Sequence, residues 1–188
     1  MNSTAEYPYR GYRIKVMQDP DPQNPRTEHD NVTRMACFHG RHVLGDKDHC
    51  GFKSKDYMGW DEMKRAIEAR DNPAVIMPLY LYDHSGLTIS TTPFSCPWDS
   101  GQVGFCWIPE TTVLQESLDR AKLDEVLTGE VKAYDAFLTG SIYGVIVLNG
   151  IGEEVYSCWG YGYDDVKSLE AYAIGEAIKI IDDLEAKK

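Results

Sequence analysis

Apolar and polar positions change period several times along this chain, and each change marks an element. Residues 12–18 (YRIKVMQ) alternate as a strand does, after a segment 1–10 that reads as a loose tail. Residues 19–31 are polar throughout and hold three prolines, so they predict a loop. A second strand is predicted over 33–39 (TRMACFH), followed by a polar loop over 40–54. Over 56–70, Trp60, Met63 and Ile67 recur at helical spacing with Ala66 beside them, and Asp61 and Glu62 suit the first turn. Asp71, Asn72 and Pro73 stop that helix.

The most apolar run, 74–82 (AVIMPLYLY), predicts a buried strand. Pro78 within it lacks a ladder donor and predicts an edge position or a bulge. Short strands follow over 87–91 and 102–108, the first closing a hairpin around 83–86. Thr111 or Thr112 is placed as the cap of a helix carrying Val113, Leu114, Leu118 and Ala121. Thr128 and Gly129 are its expected break, with a second helix over 130–138 and Gly140 as the stop. A hairpin turning at Asn149-Gly150 joins strands over 141–148 and 155–159. A last helix is expected over 164–186, with Val166, Leu169, Ala173, Ala177, Ile181 and Leu184 as its stripe. Hairpins without regular strand–helix–strand alternation predict an α+β fold, a mainly antiparallel sheet with three to four helices, in one acidic domain over 1–188.

Charge sharpens this picture. The chain of 188 residues carries a net charge of −11, unevenly along the sequence. Residues 1–109 hold 14 acidic and 12 basic side chains, whereas 110–188 hold 16 and 7. An acidic C-terminal part repels nucleic acid and attracts basic surfaces, so no direct nucleic-acid binding is expected. The N-terminal stretch has no apolar signal core and no run is long enough to span a membrane, so a cytoplasmic protein without membrane attachment is expected. Five cysteines, an odd number, argue for free thiols. Glycine-rich phosphate loops are absent, and no cofactor is expected.

Two constellations could carry chemistry. Cys37, His39, His42, His49 and Cys50 are five metal-capable side chains within fourteen residues, but their spacing fits no standard zinc module. No metal is therefore expected, with Cys37, His39, His42 and His49 as the alternative ligand set. The other lies in 80–105 (YLYDHSGLTISTTPFSCPWDSGQVGF), a loop-rich stretch of the kind that carries function. Cys96 could serve as a nucleophile with His84 or His39 as base and Asp83 or Asp99 as orienting acid. No nucleophile elbow or protease signature surrounds it, so a cysteine-dependent hydrolase or transferase using Cys96, His84 and Asp83 stands as the alternative to a non-enzymatic role. A small-ligand-binding module is the other alternative.

The string from Asp83 to Phe105, with Leu44-Gly45-Asp46-Lys47, residues 134–140 and Ser157-Cys158-Trp159-Gly160, resembles a family of small acidic proteins encoded on phages and plasmids. The likeness spans roughly residues 32–165. It implies a mobile-element setting, in which small acidic proteins act against host defence as anti-CRISPR or antirestriction proteins. The expectation that follows is a DNA mimic in the host cytoplasm, binding a CRISPR or restriction effector, with a homodimer left open. The carboxylates for that contact are Glu116, Asp119, Asp124, Glu125, Glu130, Glu153, Glu154, Asp164 and Asp165.

Overall fold

The computed structural model describes residues 5–162 and 166–186, with side chains from 171 onward in that last segment. Its elements in chain order are β1 (Ala5–Tyr9), β2 (Tyr12–Gln18), α1 (Pro25–Glu28), β3 (Arg34–Cys37), α2 (Trp60–Asp71), β4 (Pro73–Asp83), β5 (Leu87–Ser90), β6 (Ser100–Pro109), α3 (Glu110–Gln115), α4 (Leu123–Thr139), β7 (Ile142–Leu148), β8 (Glu154–Gly162) and α5 (Val166–Ala186). The fold is α+β, with two antiparallel sheets of four strands. Where the sequence reads as one domain, the chain divides into two compact units, 1–23 with 140–188, and 24–139.

The first unit has the strand order β1-β2-β7-β8. Tyr12, Ile14 and Val16 of β2 alternate with solvent-facing residues and join Val145 and Val147 of β7 in one core. Ala173, Ala177 and Ile181 of α5 pack into that core at helical spacing. Small residues on α5 suit close approach to the sheet.

The second unit has the order β3-β6-β4-β5. Its central strand β6 is buried at every position from Val103 to Pro109. The alternation within β6 explains this. Cys106 and Ile108 face a core with Leu127 and Val131 of α4, while Phe105 and Trp107 face a core with Met63 and Ile67 of α2. Helices thus cover both faces, and a strand covered on both faces reads as a continuous apolar run. Gly104 lets β3 come this close, because a Cβ there would sit 1.8 Å from the Ala36 carbonyl oxygen.

Several expectations need correction. The tail over 1–10 is in part a strand, since Ala5–Tyr9 pairs with β2 through a turn at Arg10 and Gly11, both at positive φ. Pro8 and the exposed alternate positions hide it, because an outer strand needs few apolar residues. The helix break lies at 116–119 and not at Thr128-Gly129. Ser117 adopts a positive φ, and the Asp119 side chain then accepts from the Ala121 N–H. Gly129 sits exposed within an unbroken α4. The expected Thr111 or Thr112 cap is replaced by Pro109, with α3 starting at Glu110. The expected start of the last helix at Asp164 lies outside the described residues. Pro78 fits its expectation: there β4 has only β6 beside it, since β5 pairs with 80–83, and the register shifts between Leu79 and Tyr80.

Candidate functional site

The topology of the second unit gathers its polar chemistry at one sheet edge. Strand β6 runs antiparallel to both β3 and β4, so β3 and β4 run parallel to each other. Their C-terminal ends therefore emerge together, beside the start of β6. The loop after β3 brings His39, Arg41 and His42. The β4–β5 turn brings Asp83 and His84, and the segment before β6 brings Cys96 and Asp99. A backbone bond of 2.9 Å from the Asp83 N–H to the Asp99 carbonyl ties two of these pieces.

Three of these side chains converge on one atom. Asp83 Oδ2 lies 3.7 Å from His39 Nε2, 3.4 Å from His42 Nε2 and 2.5 Å from Arg41 Nη2. The two imidazoles are stacked, with ring centres 5.1 Å apart and planes 13° from parallel. One potential ligand atom from each of His39, His42 and Asp83 lies within 4.8 Å of the others. Asp83 and the two histidines are half-buried, whereas the Arg41 side chain is 71% exposed.

The sequence grouping differs from this one. Cys37, expected beside the histidines, is wholly buried in the core on the α4 side. Burial and the nearby Cys106 and Asp46 push its thiol far above the usual range. Its Cβ belongs to the sheet, and the chain has left the sheet before His39. His49 lies against Phe38, ring centres 4.9 Å apart and tilted by 37°, and is no member of the converging set. It lies in a run of three residues, Asp48, His49 and Cys50, all at positive φ. The Cys50 thiol is pushed up to about 12 by burial and by Asp46.

Cys96 also has partners other than those a nucleophile needs. Its Sγ lies 3.7 Å from Asp99 Oδ2, and His84 Nδ1 lies 3.4 Å from that same oxygen. The order is thiol, carboxylate, imidazole. Activation of a thiol requires the imidazole in the middle, taking the proton while the carboxylate orients it. Asp83, the other acid considered, turns to His39 and His42.

A second ionic cluster lies inside the same unit. The Arg26 guanidinium is 2% exposed and bonds Asp46 Oδ1 at 2.8 Å, Glu130 Oε2 at 3.2 Å, and the hydroxyl and carbonyl of Thr33. Glu130 also accepts from the Val32 and Thr33 N–H groups, and Asp46 from the Met35 N–H. Burial works against the Arg26 charge, but Asp46 and then Glu130 outweigh it and hold its pKa above the ordinary arginine value. Glu130, one of the carboxylates expected on a binding surface, is thus an internal strut. Arg26 is hard to recognise from sequence, because its only local signal is a charge placed at a short helix start after three prolines.

The remaining acidic positions separate. Glu116, Asp119, Asp124 and Glu125 are exposed on the second unit, around the turn from α3 to α4. Glu153 and Glu154 are exposed on the first unit, where Glu153 accepts from the Asn149 side chain and Glu154 from the Ser157 hydroxyl. Asp164 and Asp165 lie outside the described residues. The imbalance along the sequence does not persist between units: the first holds 12 acidic and 7 basic side chains, the second 18 and 12. Among the described residues no helix is long and apolar enough to cross a membrane. No family model, curated protein or solved structure matches the chain.

Proposed function

We propose that this protein binds and blocks a nucleic-acid-handling effector of host defence, of the CRISPR or restriction type, in the host cytoplasm. The observation that carries the reading is the turn between α3 and α4. There Glu116, Asp119, Asp124 and Glu125 all face solvent, and Leu114 is exposed just before them. Arg120 in that segment is held by Glu110, which leaves the acids to dominate the ridge. Effector channels that hold nucleic acid are lined by Lys and Arg, and carboxylates can replace phosphates on such a surface. The resemblance to phage- and plasmid-borne proteins supplies the setting.

Carboxylates on a rim set encounter rate and salt sensitivity more than residence time. A binding surface also needs buried anchors, for which exposed aromatic side chains are the usual source. Trp98 suits that role on the second unit, being 91% exposed where Trp107 is wholly buried. It sits within the string that carries the resemblance. Contact is with protein, not with nucleic acid.

The test replaces Glu116, Asp119, Asp124 and Glu125 together by Lys. In a phage-protection assay and in direct binding to a candidate effector, that variant should lose function while its circular dichroism stays unchanged. Cys96→Ala should keep function. A charge-reversed protein that inhibits like the parent, beside a folded but inactive Cys96→Ala protein, would sink the reading and favour an enzyme.

A further inference from the structure

We infer that His39, His42 and Asp83 form a binding site for a divalent transition-metal ion, with zinc as the ion it fits best. The donor set is two imidazoles and one carboxylate, the borderline nitrogen and oxygen ligands that zinc takes in sites with an open position. The geometry is close to what the ion requires. At zinc–ligand distances of about 2.0–2.1 Å, tetrahedral ligand atoms stand about 3.3 Å apart. The observed separations from Asp83 Oδ2 are 3.4 and 3.7 Å. The third edge lies within 4.8 Å, so it closes by a modest turn of one imidazole.

A plain ion pair accounts for the arrangement less well. One protonated histidine would satisfy Asp83, and Arg41 already does so. Here two stacked imidazoles and a guanidinium address the same oxygen. Imidazole nitrogens and a carboxylate oxygen gathered at one point are a donor set that a metal ion can share.

The site is also held from two sides. His39 and His42 follow β3 and Asp83 ends β4, strands fixed to β6 in one register. Asp83 is further pinned by its backbone bond to Asp99. Arg41, mostly exposed, is the competitor: it occupies Asp83 without the ion and swings into solvent when the ion binds. Ligation through His39 Nε2 puts the ring proton on Nδ1, so the long 3.4 Å contact from the Arg41 N–H is given up as well. Three protein ligands leave the fourth position to water.

The experiment is calorimetric titration of untagged, chelator-treated protein with zinc, repeated with cobalt to read coordination from its absorption. One zinc per chain is expected. His42→Ala and Asp83→Asn should each weaken binding by about tenfold or more, since even outer partners of a metal site cost that much. His84→Ala, which removes contacts to Asp99 and the Tyr82 ring but touches no proposed ligand, should bind zinc like the parent, and Arg41→Gln should bind it more tightly. Circular dichroism checks each fold, and His42→Ala keeps the test decisive if Asp83→Asn is unstable. No saturable binding overturns the proposal. So does affinity reduced less than tenfold in both ligand variants, or a loss that follows His49→Ala instead.

Discussion

The second unit contains two clusters in which arginine meets carboxylate, and they are built for opposite ends. Around Arg26 every charged partner is engaged. Asp46 and Glu130 flank the guanidinium, Thr33 takes its remaining donors, and backbone N–H groups fill the carboxylates' other positions. Around Asp83 the arginine is exposed and two imidazoles crowd one oxygen. A sealed, saturated network can only hold the fold. An open cluster with more donors than one carboxylate needs has capacity for something else. Burial and saturation, more than the identity of the residues, separate scaffold from site.

Breaking the sealed cluster should have the largest effect. Glu130→Ala leaves Arg26 buried with one partner fewer, and removal of one member of a buried ion pair costs about 3–5 kcal/mol. Denaturant unfolding of the unit would read it as a lower midpoint at unchanged slope. A loss below about 1 kcal/mol would mean that the network is not the strut described.

A smaller effect, present at neutral pH and fading in acid, is expected at Asp71. Its side chain is 6% exposed and accepts from Trp107 Nε1 at 3.0 Å, beside Arg34 and Arg70. Burial alone would raise its pKa, but the Arg70 hydrogen bond and charge, then Arg34 and Trp107, outweigh it and hold it below the usual 3.8. A carboxyl with a depressed folded-state pKa contributes stability in full above the unfolded value. That stability is lost as pH falls below 3.8 towards the folded pKa. Asp71→Asn should therefore flatten the stability–pH curve in that window. An unchanged acid slope contradicts the assignment.

The smallest effect on stability belongs to the open cluster. Asp83→Asn breaks contacts to exposed or half-exposed partners, which are worth about 0–1 kcal/mol. Its unfolding midpoint without metal should stay near that of the parent. A loss as large as that of Glu130→Ala would make the two clusters alike and remove the contrast.

Much of the fold is written in local pattern. The Asn149-Gly150 hairpin, the Met63 and Ile67 stripe and the strand at 74–82 need only near neighbours to be read, although that strand is half-buried except at Leu79 and Leu81. What stayed hidden depends on distant partners. Glu130 looks like any surface acid on a helix until the loop before β3 is folded against it. His39 and His42 stand out as metal-capable in the sequence, yet Asp83 lies over forty residues away and joins them only because β3 and β4 leave the sheet at the same edge. Local spacing points instead to Cys37, which β3, covered on both faces, buries along with Met35 and Ala36. The imbalance of charge along the chain misleads for a similar reason, since β2 pairs with β7 and so joins the start of the chain to its C-terminal part in one unit.

The most direct measurement is the unfolding temperature with and without zinc for the parent, Asp83→Asn and Glu130→Ala. A ligand that binds only the folded state at about 100 times its dissociation constant stabilises by about 2.7 kcal/mol. A rise of several degrees is expected for the parent and for the already weakened Glu130→Ala, and a rise of about half that or less for Asp83→Asn. A zinc-dependent rise that Asp83→Asn retains in full, or no rise in any of the three, would contradict the site.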